Sequence, residues 1–419
     1  MRVLNNDVRS LKFDDVVSFC KEAVPEGVEI DYKRELPSKG LAKFFAAFSN
    51  TRGGILIIGV DEDRTTGLPS SWEGIDDNAK IVEQIHQTAT NITPLPNYIV
   101  HKTDNVNGKV FILVRIMEGE NPPYYVQNES SIWVRTGNIT NPIELSKPDY
   151  LELLFGKREK AEKARNMYLK RCTDVYAGAI KLEEKRRLQL IAEAKKKGDG
   201  SEKSHFQKPL GTDTTLCETV VMPFYPIKPL AKISEIQEKL REIRESRDFP
   251  NPNMNTMPEG LYYYTHNYDG RLMGHQIYAN GLVNALYDVL TADTQKDVRE
   301  IRLYAILWNV HHVLNAAKKL YSIFGYSGNI YYQTTLQDVN DVTIVDSTIN
   351  GPFKFDSNKE NLLRDYRWEK VFSTSALNNP EEFANLFYDL TNEMYWSFGF
   401  GELTRIAMDR FCKDSNMHF

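Results

Sequence analysis

The chain has 419 residues, 41% of them hydrophobic and 26% charged, with a formal net charge of −5. That length exceeds one ordinary core and predicts about two to three domains, and the composition excludes a disordered or fibrous chain. The acidic balance excludes a protein that coats nucleic acid by bulk charge, though a local basic surface stays open.

The four cysteines, Cys20, Cys172, Cys217 and Cys412, are far apart and form no CxxC pair. No structural zinc pattern is visible, and free thiols fit a reducing compartment. The opening "MRVLNNDVRSLKFDD" lacks an apolar signal core, and no apolar run approaches the ~20 residues of a membrane helix. A soluble, cytoplasmic protein without a membrane partner is expected.

In chain order, "FDDVVSFCKEA" places Phe13, Val16, Val17 and Cys20 at helical spacing. Pro25 and Gly27 break it, and from Val28 the period becomes two. Val28, Ile30 and Tyr32 then face one way, and Glu29, Asp31 and Lys33 the other. "LAKFFAAFSN" is a helix with a stripe of Leu41, Phe44, Phe45 and Phe48, "TRGG" a tight turn, and "ILIIGV" a fully buried strand. "IVEQIHQTA" reads as a helix. "NYIVHKTDNVNGKVFILVRI" reads as two strands about an Asn107-Gly108 turn, and "SIWVRTG" as a further strand.

A second region, 149–210, differs in kind. Between Lys157 and Lys197 fourteen Lys/Arg stand against six Asp/Glu, a local charge of +8 on good helix formers, with Leu182, Leu188, Leu190 and Ile191 as sparse apolar contacts. It reads either as a phosphate-backbone surface or as a solvated helix pair between domains. It closes on a polar, glycine-containing stretch that reads as a hinge or loop.

The third region, 211–419, predicts its own core. "KISEIQEKLREIRESRD" is an amphipathic helix. "EGLYYYTHNYDGRLMGHQIY" is a hairpin about Asp269-Gly270, with a helix from about Leu282 after it. "REIRLYAILWNVHHVLNAAKKLYSIFG" is a long helix, "GNIYYQTTLQDVNDVTIV" a strand pair, and "PEEFANLFYDLTNEMYWSFGF" a closing helix. His311 and His312 are adjacent rather than four apart, so they read as structural.

Chemistry concentrates in the first region. Asp31 and Lys33 share a strand face, Glu26 lies at the mouth of that strand, and Asp61 ends the neighbouring one in "IIGVDED". Carboxylates at strand ends suit Mg²⁺ or Mn²⁺, and a lysine beside them can offset charge developing on a phosphate. The same residues also read as a plain solvated strand face. No GxxxxGK[ST] loop is present, so Gly53 and Gly54 read as a turn rather than a nucleotide site.

"EGVEIDYK … AKFFAAFSNTRGGILIIGVDED … TGL … ITPLPNYIV … GKVFILVRI … PPYYVQ … IWVRTGNIT" resembles the Schlafen core domain, also called AlbA_2 or divergent AAA-4, over about residues 20–145. The alternating helix and strand signals predict an α+β chain. With the resemblance, residues 1–148 would be a mixed α/β Schlafen-like nuclease or nucleic-acid-binding domain, while the chain's own patterns make 149–210 a basic helical linker and 211–419 a separate α+β domain for sensing or oligomerisation.

The resemblance further implies a metal-dependent endoribonuclease cutting tRNA or other structured RNA, with antiphage defence as a biological setting. Glu26, Asp31 and Asp61 would then hold Mg²⁺ or Mn²⁺ and Lys33 would meet the scissile phosphate. Asp63 is the fallback third acid, and Glu29 competes with Glu26. The second acid here stands in "DYK" where the family commonly has "EFK". Arg135 in "WVRTG" would contact substrate phosphate, or else be a surface strand residue. The alternative function is a non-catalytic DNA- or RNA-binding regulator. A homo-oligomer is expected because family members often pair their lobes.

Overall fold

The computed structural model describes residues 8–37, 40–137, 139–143, 148–197, 214–246, 249–266, 272–293, 298–339, 342–345, 364–415 and 417. The chain is α+β and falls into two compact units. The first comprises Met1–Lys163, Tyr321–Asn329 and Phe372–Asn379; the second comprises Ala164–Leu320, Ile330–Val371 and Pro380–Phe419.

The first unit is built on a four-stranded sheet. Its order is Ile30–Lys33 (β1), Gly54–Ile58 (β2), Ile112–Ile116 and Tyr98–Lys102. β1 and β2 run parallel, and the remaining pairs are antiparallel. A parallel pair needs a crossover, which helix α2 (Leu41–Asn50) supplies. The last two strands close through Asn107 and Gly108, both at positive φ (53° and 83°), as a tight hairpin turn demands.

The unbroken apolar run of β2 has a direct cause. Its side chains alternate between two cores. Leu56 and Ile58 join Phe45, Phe48 and Ile85 beneath α2 and α3 (Ile81–Ala89). Ile55 and Ile57 join Tyr32, Val16 and Phe19 beneath α1 (Phe13–Lys21). Tyr32 belongs to the α1 side, so strand parity turns Asp31 and Lys33 toward α2. That face of β1 is not solvated: Asp31 is 2% exposed.

Gly53 and Gly54 serve the α2–β2 turn as expected. Gly53 takes φ +71°, and a Cβ on Gly54 would lie 2.4 Å from the Phe48 ring and 2.7 Å from the Glu29 carbonyl oxygen.

Helix α4 (Pro148–Lys197) is one continuous helix, not a pair, with proline at its first turn, where a missing N–H costs nothing. Residues up to Lys163 belong to the first unit and those from Ala164 to the second. Its buried contacts are Leu154, Ala161, Cys172 and Tyr176, whereas Leu182 and Leu188 are exposed. The polar stretch after Lys197 lies outside the described residues.

The second unit holds a seven-stranded sheet in the order Asn255–Met257, Gly260–His266, Leu272–Tyr278, Val283–Asp288, Leu216–Pro223, Asn329–Gln337, Tyr366–Ser373. On one face Tyr168, Leu169 and Cys172 of α4 meet Val220, Met222 and Tyr278. On the other, Trp308 of the long Leu303–Phe324 helix meets Tyr287 edge-on, and His312 stacks on Trp308 at 3.8 Å. His311 and His312 are thus packing residues, and burial pushes His312 down to about 4, with His311 adding to the effect.

Two expectations for this unit are overturned. The segment after Leu282 is the strand Val283–Asp288, not a helix. Its apolar residues fit either period, and burial between the α4 face and the long-helix face selects the strand. Asn329–Gln337 and Thr343–Val345 are not partners. The first pairs with Leu216–Pro223, and the second runs parallel to Val298–Arg302. Gly260–His266 and Leu272–Tyr278 do pair, while the Asp269-Gly270 turn lies outside the described residues. A helix at Arg405–Asp414 follows the closing one at Pro380–Ser397.

Gly54→Ala tests the α2–β2 packing. The added methyl meets ring and backbone together, so a loss of about 1–3 kcal/mol in denaturant unfolding is expected, the usual range for overpacking.

Candidate active site

β1 and β2 present their carboxyl ends together, the edge where parallel strands commonly offer their loops to ligands. Gly59 and Val60 N–H both donate to the Lys33 carbonyl, at 2.8 and 3.3 Å, which carries the chain after β2 past the end of β1. Asp61 and Glu62 then pair with Pro69–Ser71, and the register shifts between them. The residue passed over is Ser70, so the extra residue lies in the Pro69–Ser71 strand.

Lys33 is the centre of what results. Its ammonium lies 2.6 Å from Asp31 Oδ1, 3.4 Å from Glu62 Oε1 and 3.6 Å from Glu26 Oε1. Three carboxylates from three segments therefore converge on one nitrogen, with the Phe44 ring 5.6 Å away. Burial works against the charged ammonium, but Asp31, then Glu26 and Glu62, outweigh it and hold the Lys33 pKa above its ordinary value.

Glu26 behaves oppositely. Burial and a hydrogen bond with the Glu62 carboxyl push it up to about 8, although Tyr32 N–H donates to it at 2.8 Å and favours the ionised form. Lys33 at 3.6 Å is too distant to reverse that balance. Two carboxyls sharing a proton are the expected result of like charges in a partly desolvated site.

Asp31 is held from both sides. Lys33 takes Oδ1, and Arg135 Nη1 donates to Oδ2 at 2.5 Å. Arg135 is 4% exposed, so its guanidinium is turned into the protein and engages no surface phosphate in this arrangement. Its Nη2 donates to the Gly27 and Ile30 carbonyls at 2.6 and 3.3 Å.

The nominated residues thus separate. Glu26, Asp31 and Lys33 come together, with Arg135 behind them. Asp61 lies apart: it is half exposed, 4.0 Å from Arg34, and accepts from the Glu62 N–H. Asp63 is occupied by its own turn, accepting from Thr65 N, Thr66 N and Thr66 Oγ1. Glu29 is exposed, so of the competing glutamates Glu26 enters the cluster.

Sequence reasoning passed over Glu62, which faces away from Asp61 as neighbours in a strand do and reaches Lys33. It also placed Asn50 at the end of the helix and Thr51 in the "TRGG" turn, and gave neither a bonding role. Asn50 is buried and bonds to Tyr124 N, Tyr124 O and Trp133 O, and Thr51 Oγ1 accepts from Arg135 N at 2.9 Å. Two polar residues closing an apolar helix were the available signal.

Among the described residues no group of three or more His, Cys, Asp and Glu stands ready as a metal cage. The carboxylate oxygens are hard donors of the kind a divalent ion prefers, and in this structure they converge on the Lys33 ammonium.

Residues 26–144 match the family model described as Schlafen, AlbA_2. No curated protein is significantly similar to the chain. Among solved structures, the DIP2311 protein from Corynebacterium diphtheriae aligns at 17% identity with a TM-score of 0.23, over 33% of this chain and 28% of that one. So short and loose an alignment supports no argument here.

The Glu26 shift makes a pH prediction. A carboxyl that rises from 4.5 to about 8 on folding binds its proton more tightly when folded. Its contribution to stability is present below the lower value and is lost as pH rises through the upper one. Without divalent cations, the Tm of the protein is expected to fall across that window, and Glu26→Gln to flatten the fall. An unchanged slope in the variant would assign it to another group.

Proposed function

We propose, from the premise that residues 26–144 form a Schlafen AlbA_2 domain, that this chain is a metal-dependent endoribonuclease acting on tRNA or other structured RNA. The observation that carries the reading is the convergence of Glu26, Asp31 and Glu62 on one cationic nitrogen at the carboxyl end of a parallel strand pair.

Glu26, Asp31 and Glu62 would hold Mg²⁺ or Mn²⁺. Such an ion polarises a phosphodiester and makes water a better nucleophile near neutral pH. Lys33 faces this point and can meet the charge that grows on phosphate oxygens. Without the ion, burial and Glu62 hold Glu26 up to about 8, so metal binding near pH 7 would release a proton. RNA is the expected partner, antiphage defence the expected setting, and a homo-oligomer the expected assembly.

A second reading has its own support. Both Asp31 oxygens already have cationic partners, as in a cluster that only shapes a docking surface. A non-catalytic DNA- or RNA-binding regulator would then bind with strong salt dependence and without need of a metal.

Cleavage of total tRNA with Mn²⁺ or Mg²⁺, with and without EDTA, separates the two. Asp31→Asn and Glu62→Gln are expected to lower the rate by ~10²-fold or more, the scale of losing a preorganised electrostatic group. Asp61→Asn, paired outward to Arg34, is expected to stay within about threefold of wild type, since surface ion pairs matter little. Metal-independent binding with no cutting would leave the regulator reading. A dead Asp61→Asn beside an active Glu62→Gln would return the third position to Asp61.

A further inference from the structure

The strand Ile132–Thr136 is fastened to the end of α2 by Asn50, whose Nδ2 donates to the Trp133 carbonyl at 2.9 Å, and by Thr51, which accepts from Arg135 N–H. It is also paired along its length with Ile139–Ile143. The backbone of Arg135 is therefore fixed independently of what its side chain does.

That side chain grips the stretch from Gly27 into the start of β1 at three points. Nη1 holds the Asp31 carboxylate, and Nη2 holds the carbonyls of Gly27 and Ile30. Thr140 Oγ1 accepts from Nη1 at 3.1 Å, and the Phe48 ring lies 5.0 Å from Cζ. All three grips fall in the residues that connect Glu26 to Asp31. Glu26 is tied to the same segment by its bond from Tyr32 N–H.

We propose that Arg135 is the positioning residue of this acidic site, setting the placement of Glu26 and Asp31 by clamping the turn between them. Only its catalytic consequence rests on the nuclease reading; the clamp belongs to the folded chain. The fork of a guanidinium is what the task needs. A lysine presents one compact ammonium that can meet Asp31 without also spanning two carbonyls on the other side. Arg135 has no access to substrate in this arrangement, so it acts through the two acids.

Arg135→Lys in the full chain is the test, because it keeps the positive charge beside Asp31 while removing the fork. The first readout is hydrogen exchange at the Tyr32 amide, with the Leu56 amide in the core of the same sheet as reference. Tyr32 is expected to exchange at least ~10-fold faster in the variant with Leu56 unchanged, the sign of local opening. The second readout is cleavage: kcat is expected to fall ~10²-fold with KM within about threefold, as for displaced reacting groups.

Unchanged Tyr32 exchange overturns the proposal, as does a raised KM with kcat kept, which would mark a phosphate-contacting residue. If Arg135→Lys fails to fold, Thr51→Val, which removes the acceptor for Arg135 N–H, decides by the same Tyr32 readout. If the wild-type protein cuts no RNA, the nuclease reading falls and Tyr32 exchange alone decides the role of Arg135.

Discussion

The buried pair between Asp31 and Arg135 is the constraint around which the first unit is arranged. Taking a carboxylate and a guanidinium out of water is costly, and removing one partner of such a pair typically destabilises by about 3–5 kcal/mol because the other is stranded. The pair holds only because both backbones are fixed elsewhere. Asp31 sits in β1 against Leu56 of β2, and Arg135 sits in a hairpin pinned by Asn50 and Thr51. The motif residues that close α2 are therefore structural in role and necessary to the site.

The same constraint divides the acids by task. Asp31 is kept in place by two cations, whereas burial and the neighbouring Glu62 push Glu26 up to about 8. Carboxyls a few ångströms apart thus stand in different surroundings within one cluster. Lys33 holds the centre, with its ammonium within 3.6 Å of oxygens of Asp31, Glu26 and Glu62. The cluster is coherent as it stands.

Much of the fold was legible in the chain. α1, α2, β2, α3 and the Asn107-Gly108 hairpin follow from periodicity and turn chemistry, because each buries one regular stripe or both faces of a strand. Val283–Asp288 was not legible, since Leu282, Val283, Leu286 and Val289 also satisfy a helical spacing. Only a sheet covered on both faces makes that run a strand. The separation of Asn329–Gln337 from Thr343–Val345 was likewise out of reach. Strand neighbours in sequence are partners only when no other edge competes, and here Leu216–Pro223 takes the first and Val298–Arg302 the second.

By itself the sequence determined the α+β class, the resemblance of about residues 20–145 to the Schlafen AlbA_2 domain, and the placing of Glu26, Asp31 and Lys33 near one strand end. Those properties are local: they depend on side-chain period, turn residues and motif spacing. Tertiary structure decided the rest. The path of the chain after β2 brought Glu62 to Lys33, and a hairpin more than a hundred residues from β1 brought Arg135 under Asp31. Neither can be read along the chain, because which residue past a strand end meets Lys33 and the identity of a buried counter-ion are set by packing between segments.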